Sequence, residues 1–282
     1  MPEGFKATEI IFQRIKMDTY KVDYHIHSHY SDGKLSPGEI AGRYHDMDYD
    51  IIALTDHDGI DGLKEFFAAC EAVKIKGVPG IELSTYHEFE GKTYKLHLLG
   101  YGFDCENRRL NEVCDDLKEK RKRRNEKLIE ELNLMGIEIS PEEVLKHSKE
   151  GYIGKPNIAR VLINKGYAGD MAEAFGEKLL GSERIRNIKK EKLSAVEAID
   201  LITEAGGMPV LAHPGKIKNM PPREGDEFFA EFEKLARDLR LKGLKGIECI
   251  YPDHSSDEEF RFINISSKLH LHITEGSDYH GE

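Results

Sequence analysis

Two histidines one residue apart, His25 and His27, lie in a stretch that alternates apolar and polar residues, VDYHIHSHYSDG over 22–33. As a strand it puts Val22, Tyr24 and Ile26 on one face and Asp23, His25 and His27 on the other. Two imidazoles spaced in this way can address one cation, and the Asp32-Gly33 turn can bring a carboxylate back toward them. Imidazole with carboxylate suits zinc, manganese or iron, and the donor set does not choose among them. A lone H-x-H pair is common by chance. It gains weight only if ligand-type residues recur at equivalent places in the fold.

The elements that must position such residues alternate. Short apolar strands are expected at 22–27, 50–54, 78–83, 93–101, 208–212, 246–251 and 270–275. Between them stand amphipathic helices. Those at Ser36 and Ser194 open with a serine followed three residues later by glutamate, a reciprocal cap. Alternation of this kind implies a mainly parallel sheet, either an open doubly wound sheet or a small barrel. Neither G-x-G-x-x-G nor G-x-x-x-x-G-K-[ST] occurs, which removes support for a nucleotide-cofactor sheet. The alternation breaks over 105–186, which reads as helix after helix. The expected organisation is an α/β domain made of 1–104 and 187–282 with an all-α insertion at 105–186 that covers the site. Residues 1–21 show no clear periodicity.

Ligand-type residues then recur along the strands. His25 and His27 end the first strand, His57 follows the second, Glu82 ends the third, and His97 lies on the fourth. His213 follows the fifth, and Asp278 and His280 follow the seventh. Parallel strand ends of one polarity meet on one face of a barrel. With Asp32 these are too many ligands for one tetrahedral ion, so two or three ions are implied, with Glu82 as the carboxylate bridge.

The motifs YHIHSHYSDG, TDHD at 55–58, GIE at 80–82, AHPG at 212–215 and GSDYHG at 276–281, in this order, resemble those of the PHP superfamily, the polymerase and histidinol phosphatase group. The resemblance implies a distorted seven-stranded (β/α)7 TIM-like barrel with a trinuclear metal site. It implies one ion near His25, His27, Glu82 and Asp278, a second near Glu82, His97 and His213, and a third near Asp32, His57 and His280. The insertion, GYIGKPNIARVLINKGY at 151–167 followed by AFGEKLLG, resembles a branch that removes phosphate from nucleotides or trims short oligoribonucleotides. Lys155 and Asn157 stand where that branch usually carries Arg and His.

The expected reaction is hydrolysis of a phosphate ester by a hydroxide held between two ions, with phosphate as a product. Glu82, Asp278 and His213 are the expected catalytic residues. Candidates for holding the substrate are Lys155, Asn157, Arg160, Arg184, Arg186, Lys216, Glu248 and His254, the last two also able to support the metal ligands from behind. The substrate would be a nucleotide phosphomonoester or a short RNA end. The same ligand types could serve an amidohydrolase cleaving a C–N bond, or a metal-binding module without catalysis.

Composition bounds the rest. Apolar residues make up 39% of the 282, enough for a packed core, and the formal net charge is -11. That balance argues against long duplex nucleic acid or an anionic membrane as partner. The four cysteines form no C-x-x-C and no disulfide framework, and no apolar run resembles a signal peptide or a membrane span, so a cytoplasmic location is expected. The one basic run, KEKRKRRNEK at 118–127, spreads its charges around a helix and reads as a solvated face.

Overall fold

The computed structural model of the chain describes residues 20–147 and 153–281. Most of the 1–21 extension, Gly151-Tyr152 of the insertion motif, and Glu282 lie outside the described residues. The fold is α/β, built on an eight-stranded, mostly parallel sheet. Seven strands follow one another by hydrogen bonding: β1 (Val22–Ile26), β2 (Ile51–Leu54), β3 (Lys76–Phe89), β4 (Lys92–Tyr101), β6 (Met208–Leu211), β7 (Gly246–Ile250) and β8 (His272–Glu275). The eighth, β5 (Leu193–Ser194), pairs with β3 and was not expected. Beyond β8 the chain returns to β1. The His27 amide donates to the Tyr279 carbonyl at 2.9 Å, and the Tyr279 amide to the His25 carbonyl at 3.2 Å.

The sheet departs from the parallel expectation at β4, which is antiparallel to both β3 and β6. The cause is a long hairpin. The third strand does not stop at 83 but runs to Phe89, and Glu90 and Gly91 turn it back with φ of 48° and 76°. Two consecutive positive φ values make the tight turn whose twist suits a hairpin. Glu82 and His97 are therefore both mid-strand.

A second departure is in β1. Its register against β2 shifts between Asp23 and Ile26. Val22 and Tyr24 pack with Ile51, Ala53, Val78 and Leu99, whereas Ile26 joins Ile52, Leu54 and Phe66 in the main cluster. A register shift of this kind re-aims side chains. Strict alternation fails here. The Asp23 carboxylate takes the Tyr44 and Ser277 hydroxyls at 2.7 and 2.5 Å and the His25 backbone amide at 3.1 Å, not the imidazole cluster.

Helices α1 (Pro37–Asp46), α2 (Leu63–Val73), α8 (Ala195–Glu204), α9 (Asp226–Leu241) and α10 (Ser256–Lys268) bury one face each in the main core. The reciprocal caps at Ser36–Glu39 and Ser194–Glu197 are formed, and Ser255–Glu258 adds another.

Between β4 and β5 lie α3 (Arg108–Leu134), α4 (Pro141–Leu145), α5 (Lys155–Asn164), α6 (Met171–Ala174) and α7 (Glu183–Asn187). These helices share an apolar cluster of their own that starts at Leu128 on α3 and includes Ile158, Leu162, Leu180 and Ile185. Leu110, Cys114 and Leu117, earlier on α3, pack instead into the main core. Among the described residues no helix is long and apolar enough to cross a membrane.

Candidate metal centre

Strand ends and the hairpin bring nine side chains together. His25 and His27 come from β1 and the residue after it, Asp32 from the following loop, and His57 from just beyond β2. Glu82 and His97 come from the hairpin, His213 from beyond β6, and Asp278 and His280 from beyond β8. His25, His27 and Glu82 are fully buried. Three groups have ligand atoms close enough to hold an ion: His25, His27, Glu82 and Asp278; His27, Asp32, His57 and His280; and His57, Glu82 and His97. The first matches the expected set. The other two differ from it, because His27 also reaches the Asp32 group and His57 takes the place expected of His213. His213 stands beside Glu82, with Nε2 2.9 Å from Oε1.

Glu82 lies at the centre with its two oxygens facing different partners. Oε1 is 2.8 Å from His97 Nδ1, 2.9 Å from His213 Nε2 and 3.5 Å from His25 Nε2. Oε2 is 2.7 Å from His57 Nδ1 and 3.3 Å from His27 Nε2. Asp278 Oδ1 is 3.1 Å from His27 Nε2 and 3.4 Å from His25 Nε2. Asp32 reaches His280 Nε2 at 3.3 Å through Oδ1 and His57 Nε2 at 3.6 Å through Oδ2.

The residues fit divalent cations on a structural criterion. His25 Nε2, His27 Nε2, Asp32 Oδ1, His57 Nδ1 and Glu82 Oε2 are buried and have no hydrogen-bond partner among the described residues. Buried polar atoms without partners are costly, and here they point at one another. Cations between them would satisfy them all, and the nitrogen and oxygen donors suit zinc, manganese or iron.

The charges are strongly coupled. Burial disfavours the Glu82 carboxylate, but His57, His97 and His25 hold its pKa well below the usual range. Burial also opposes charge on His25, yet Glu248 and Glu82 raise it well above an ordinary imidazole. His57 is pushed up to about 9 against burial, by Glu82 and Asp32. Burial pushes His97 down to about 4 and lowers His27. Asp278 and Asp32 are held down by neighbouring histidines despite burial.

The expected substrate residues sort differently. Glu248 is fully buried and both its oxygens are used: one lies 2.9 Å from His25 Nδ1, the other accepts the His213 amide at 2.7 Å. It therefore aims His25 Nε2 at the centre, and it fixes the backbone where His213 has a φ of 24°. Fully buried, it stands behind His25 and His213 rather than on an open surface. His254 is also engaged, with Nδ1 3.0 Å from the Cys249 carbonyl and Nε2 accepting the Gly215 amide.

Asn157 borders a cleft of about 350 Å³ that Asp32, His29, Lys34 and Arg160 also line. Its amide accepts from the Gly154 amide and donates to the His147 carbonyl, so it closes the start of α5. The Lys155 ammonium donates to the Leu180 carbonyl. Arg184 and Arg186 are exposed on α7, away from that cleft, and Arg184 pairs with Glu131. Arg160 and Lys216 remain. The Lys216 ammonium stands 3.1 Å from Asp278 Oδ2 at the rim.

Several positions were missed. The Tyr251 hydroxyl holds Asp278 Oδ2 at 2.8 Å. Asp58, beside His57, is buried. Its Oδ1 accepts the Ser84 amide and its Oδ2 takes Arg121 of α3 and Lys190 together. Arg121 also donates to the His57 carbonyl at 3.1 Å, so this member of the basic run is not solvated. Lys192 is half-buried, and its pKa is pushed down to about 8 by burial and by Lys190. The TDHD motif was the available signal for Asp58. Nothing local in the sequence marked Arg121, Lys190, Lys192 or Tyr251.

Residues 23–167 match the family described as PHP domain. A 5′-3′ exoribonuclease from Haemophilus influenzae is 29% identical over 262 residues, covering 93% of this chain and 90% of that protein. A 3′,5′-nucleoside bisphosphate phosphatase from Chromobacterium violaceum is 29% identical over 260 residues, covering 92% of this chain and 87% of that protein. A solved structure of an amidohydrolase from Chromobacterium violaceum, with bound sulfate and no metal, matches with a TM-score of 0.78 at 29% identity, covering 93% of this chain and 88% of that one.

Proposed function

The chain belongs to the PHP-domain family and is a metal-dependent phosphoesterase, and we propose that it acts on nucleotide phosphomonoesters or the ends of short RNA. The observation that carries the reading is the Glu82 carboxylate. Its two oxygens face separate imidazole groups, the arrangement a bridging ligand requires. The proposed ligands are His25, His27, Asp32, His57, Glu82, His97, His213, Asp278 and His280. Two or three bound divalent ions, manganese, zinc or iron, would supply Lewis acidity at the phosphoryl oxygens and a water of lowered pKa.

The chain's own residues do the rest. Glu82 and Asp278 bring concentrated negative charge to a buried centre. His213 and Glu248 hold that arrangement, one through Glu82 and the other through His25. Lys216 at the rim and Arg160 in the cleft beside Asp32 are placed to take phosphoryl oxygens or the rest of a nucleotide. Charge-assisted contacts to phosphate are strong and directional. The β8-to-β1 bonds support a closed barrel, and the separate apolar cluster supports 105–186 as a covering insertion domain. Free cysteines suit a reducing cytoplasm.

The nucleotide reading also draws on the exoribonuclease and bisphosphate phosphatase similarities. The similarity to a chain described as an amidohydrolase keeps C–N hydrolysis as the competing reading. A panel of nucleotide phosphates, short 5′-phosphorylated RNA and N-acyl amides separates them. Phosphate release from nucleotides or RNA is expected, and turnover of amides alone would defeat the proposal.

A further inference from the structure

A histidine that ligates a metal is usually aimed through its other ring nitrogen, by a carboxylate or carbonyl behind it. His25 follows that rule, with Nδ1 2.9 Å from Glu248. His280 does so too, with Nδ1 2.7 Å from the Asp278 carbonyl oxygen. His57 does not. Its Nδ1 faces Glu82 Oε2 at 2.7 Å and its Nε2 faces Asp32 Oδ2 at 3.6 Å, so both nitrogens point at members of the cluster. The rings beside it, His27, His97 and His280, belong to the same cluster. Among the described residues no hydrogen-bond partner outside the cluster holds this imidazole, so its aim comes from the backbone.

That backbone is held twice. Residues 56–58 run beside β3, where the Glu82 amide donates to the Asp56 carbonyl at 3.2 Å and the Asp58 amide to the Glu82 carbonyl at 2.9 Å. Asp58 then turns with a φ of 53°, a conformation that costs an L residue free energy unless its surroundings impose it. Its Oδ1 accepts the Ser84 amide at 2.9 Å. The second hold comes from α3. Arg121 is 9% exposed, and its Nη2 lies 2.8 Å from Asp58 Oδ2 and 3.1 Å from the His57 carbonyl oxygen. Lys190 shares Asp58 Oδ2, but its other bond goes to Ser84 Oγ and not to His57. Between Arg121 and Lys190 lie the rest of α3 and all of α4 to α7, so both ends of the helical segment return to one carboxylate beside His57.

We propose that Arg121 is a positioning residue for the metal centre. By holding the His57 carbonyl it aims the His57 imidazole, so the two ligand groups that include His57 bind a divalent cation tightly only while α3 is docked. The group of His25, His27, Glu82 and Asp278 does not include His57 and is independent of that contact. The proposal rests on the metal-dependent reading and adds to it a link from the helical segment to metal occupancy.

The test titrates manganese calorimetrically into chelator-stripped wild-type protein, Arg121→Met and Lys190→Met. Each variant leaves Asp58 one cation, so both lose part of the same ion network, and only Arg121→Met also releases the His57 carbonyl. Removing a nearby positive charge favours a bound cation, so charge alone predicts equal or tighter binding in both variants. Lost positioning predicts the opposite for Arg121→Met, with one ion binding as in wild type and the rest roughly 10- to 100-fold more weakly. Lys190→Met should bind all its ions at least as tightly as wild type. Matching isotherms for the two variants would overturn the proposal. Should Arg121→Met not fold, Arg121→Lys, which keeps a charge for Asp58 on a shorter arm, should show the same selective weakening, and a wild-type isotherm there defeats the proposal. If wild-type protein binds no manganese, the metal-dependent reading fails on its own. The imidazole nitrogen NMR signals of the metal-free proteins then decide the positioning: His57 is expected to move further in Arg121→Met than in Lys190→Met, and equal displacement overturns it.

Discussion

The bowl of converging ligand-type residues and the helical segment between β4 and β5 differ in what holds their side chains. In the bowl, ligand-type side chains arrive from strand ends, a loop and one hairpin and pack against one another, with His25, His27, Glu82 and His213 buried and the others half-buried. Glu82 alone lies within 3.5 Å of five imidazoles. In the helical segment, candidate residues sit on short helices whose own closure and packing engage them. Asn157 closes a helix start, Lys155 holds a carbonyl, and Arg184 pairs with Glu131. The same residue types thus converge on a common centre where the sheet gathers them and do structural work where a helix must be finished. Ligand type alone is weak evidence, and ligand type at a strand end is strong.

The sharpest way to break this contrast is at the centre of the bowl. Glu82→Gln replaces the anion shared by the clusters with a neutral amide. Metal affinity should fall by more than the roughly 100-fold typical of supporting residues, with turnover lost. Elemental analysis and phosphate release check it, and full metal content with near-normal activity would remove the bridging role. Glu248→Gln comes next. As the group that orients His25, it should cost about 10- to 100-fold in metal affinity. A rise in KM with unchanged metal affinity would instead restore it as a substrate residue.

Asp58→Asn tests the joint between the two regions. It removes the carboxylate that Arg121 and Lys190 share, and about 3–5 kcal/mol of stability should go with it. Against burial, Lys190 and Arg121 hold the Asp58 carboxyl below the usual range. Its contribution is therefore complete above the unfolded carboxyl pKa near 4 and fades as pH falls toward the lower folded value. Urea midpoints of the two proteins should lie apart at neutral pH and converge in acid; a gap that widens in acid would contradict the ion network. Arg160→Ala should have the smallest effect, a loss of about 1.5 kcal/mol, or roughly tenfold, in kcat/KM for a nucleotide phosphate. Unchanged nucleotide kinetics would show that the insertion reads substrate through other residues, or not at all.

What could be read from the sequence follows the same division. The histidine pair, TDHD, GIE and the terminal SDYH sit at the ends of short apolar runs, so period-two alternation and strand polarity were enough to converge them. His97 was expected on the fourth strand, but the third was read as ending at 83, so the long hairpin that pairs His97 with Ser84 was not foreseen; such a pairing is decided between strands. The β1 register shift, which parts the Asp23 carboxylate from the imidazole cluster, is likewise invisible to alternation. Arg121 hid in a basic run because only docking of α3 onto the His57 loop buries it. Lys190 meets Asp58 and Ser84 only where the chain leading into β5 is brought against β3, contacts more than 100 residues apart in sequence.

The central claim, a shared multi-ion centre, is tested most directly by counting metal. The protein, purified without chelator and loaded with manganese, should hold more than one equivalent of divalent ion per chain by elemental analysis. One equivalent or fewer after loading would contradict it.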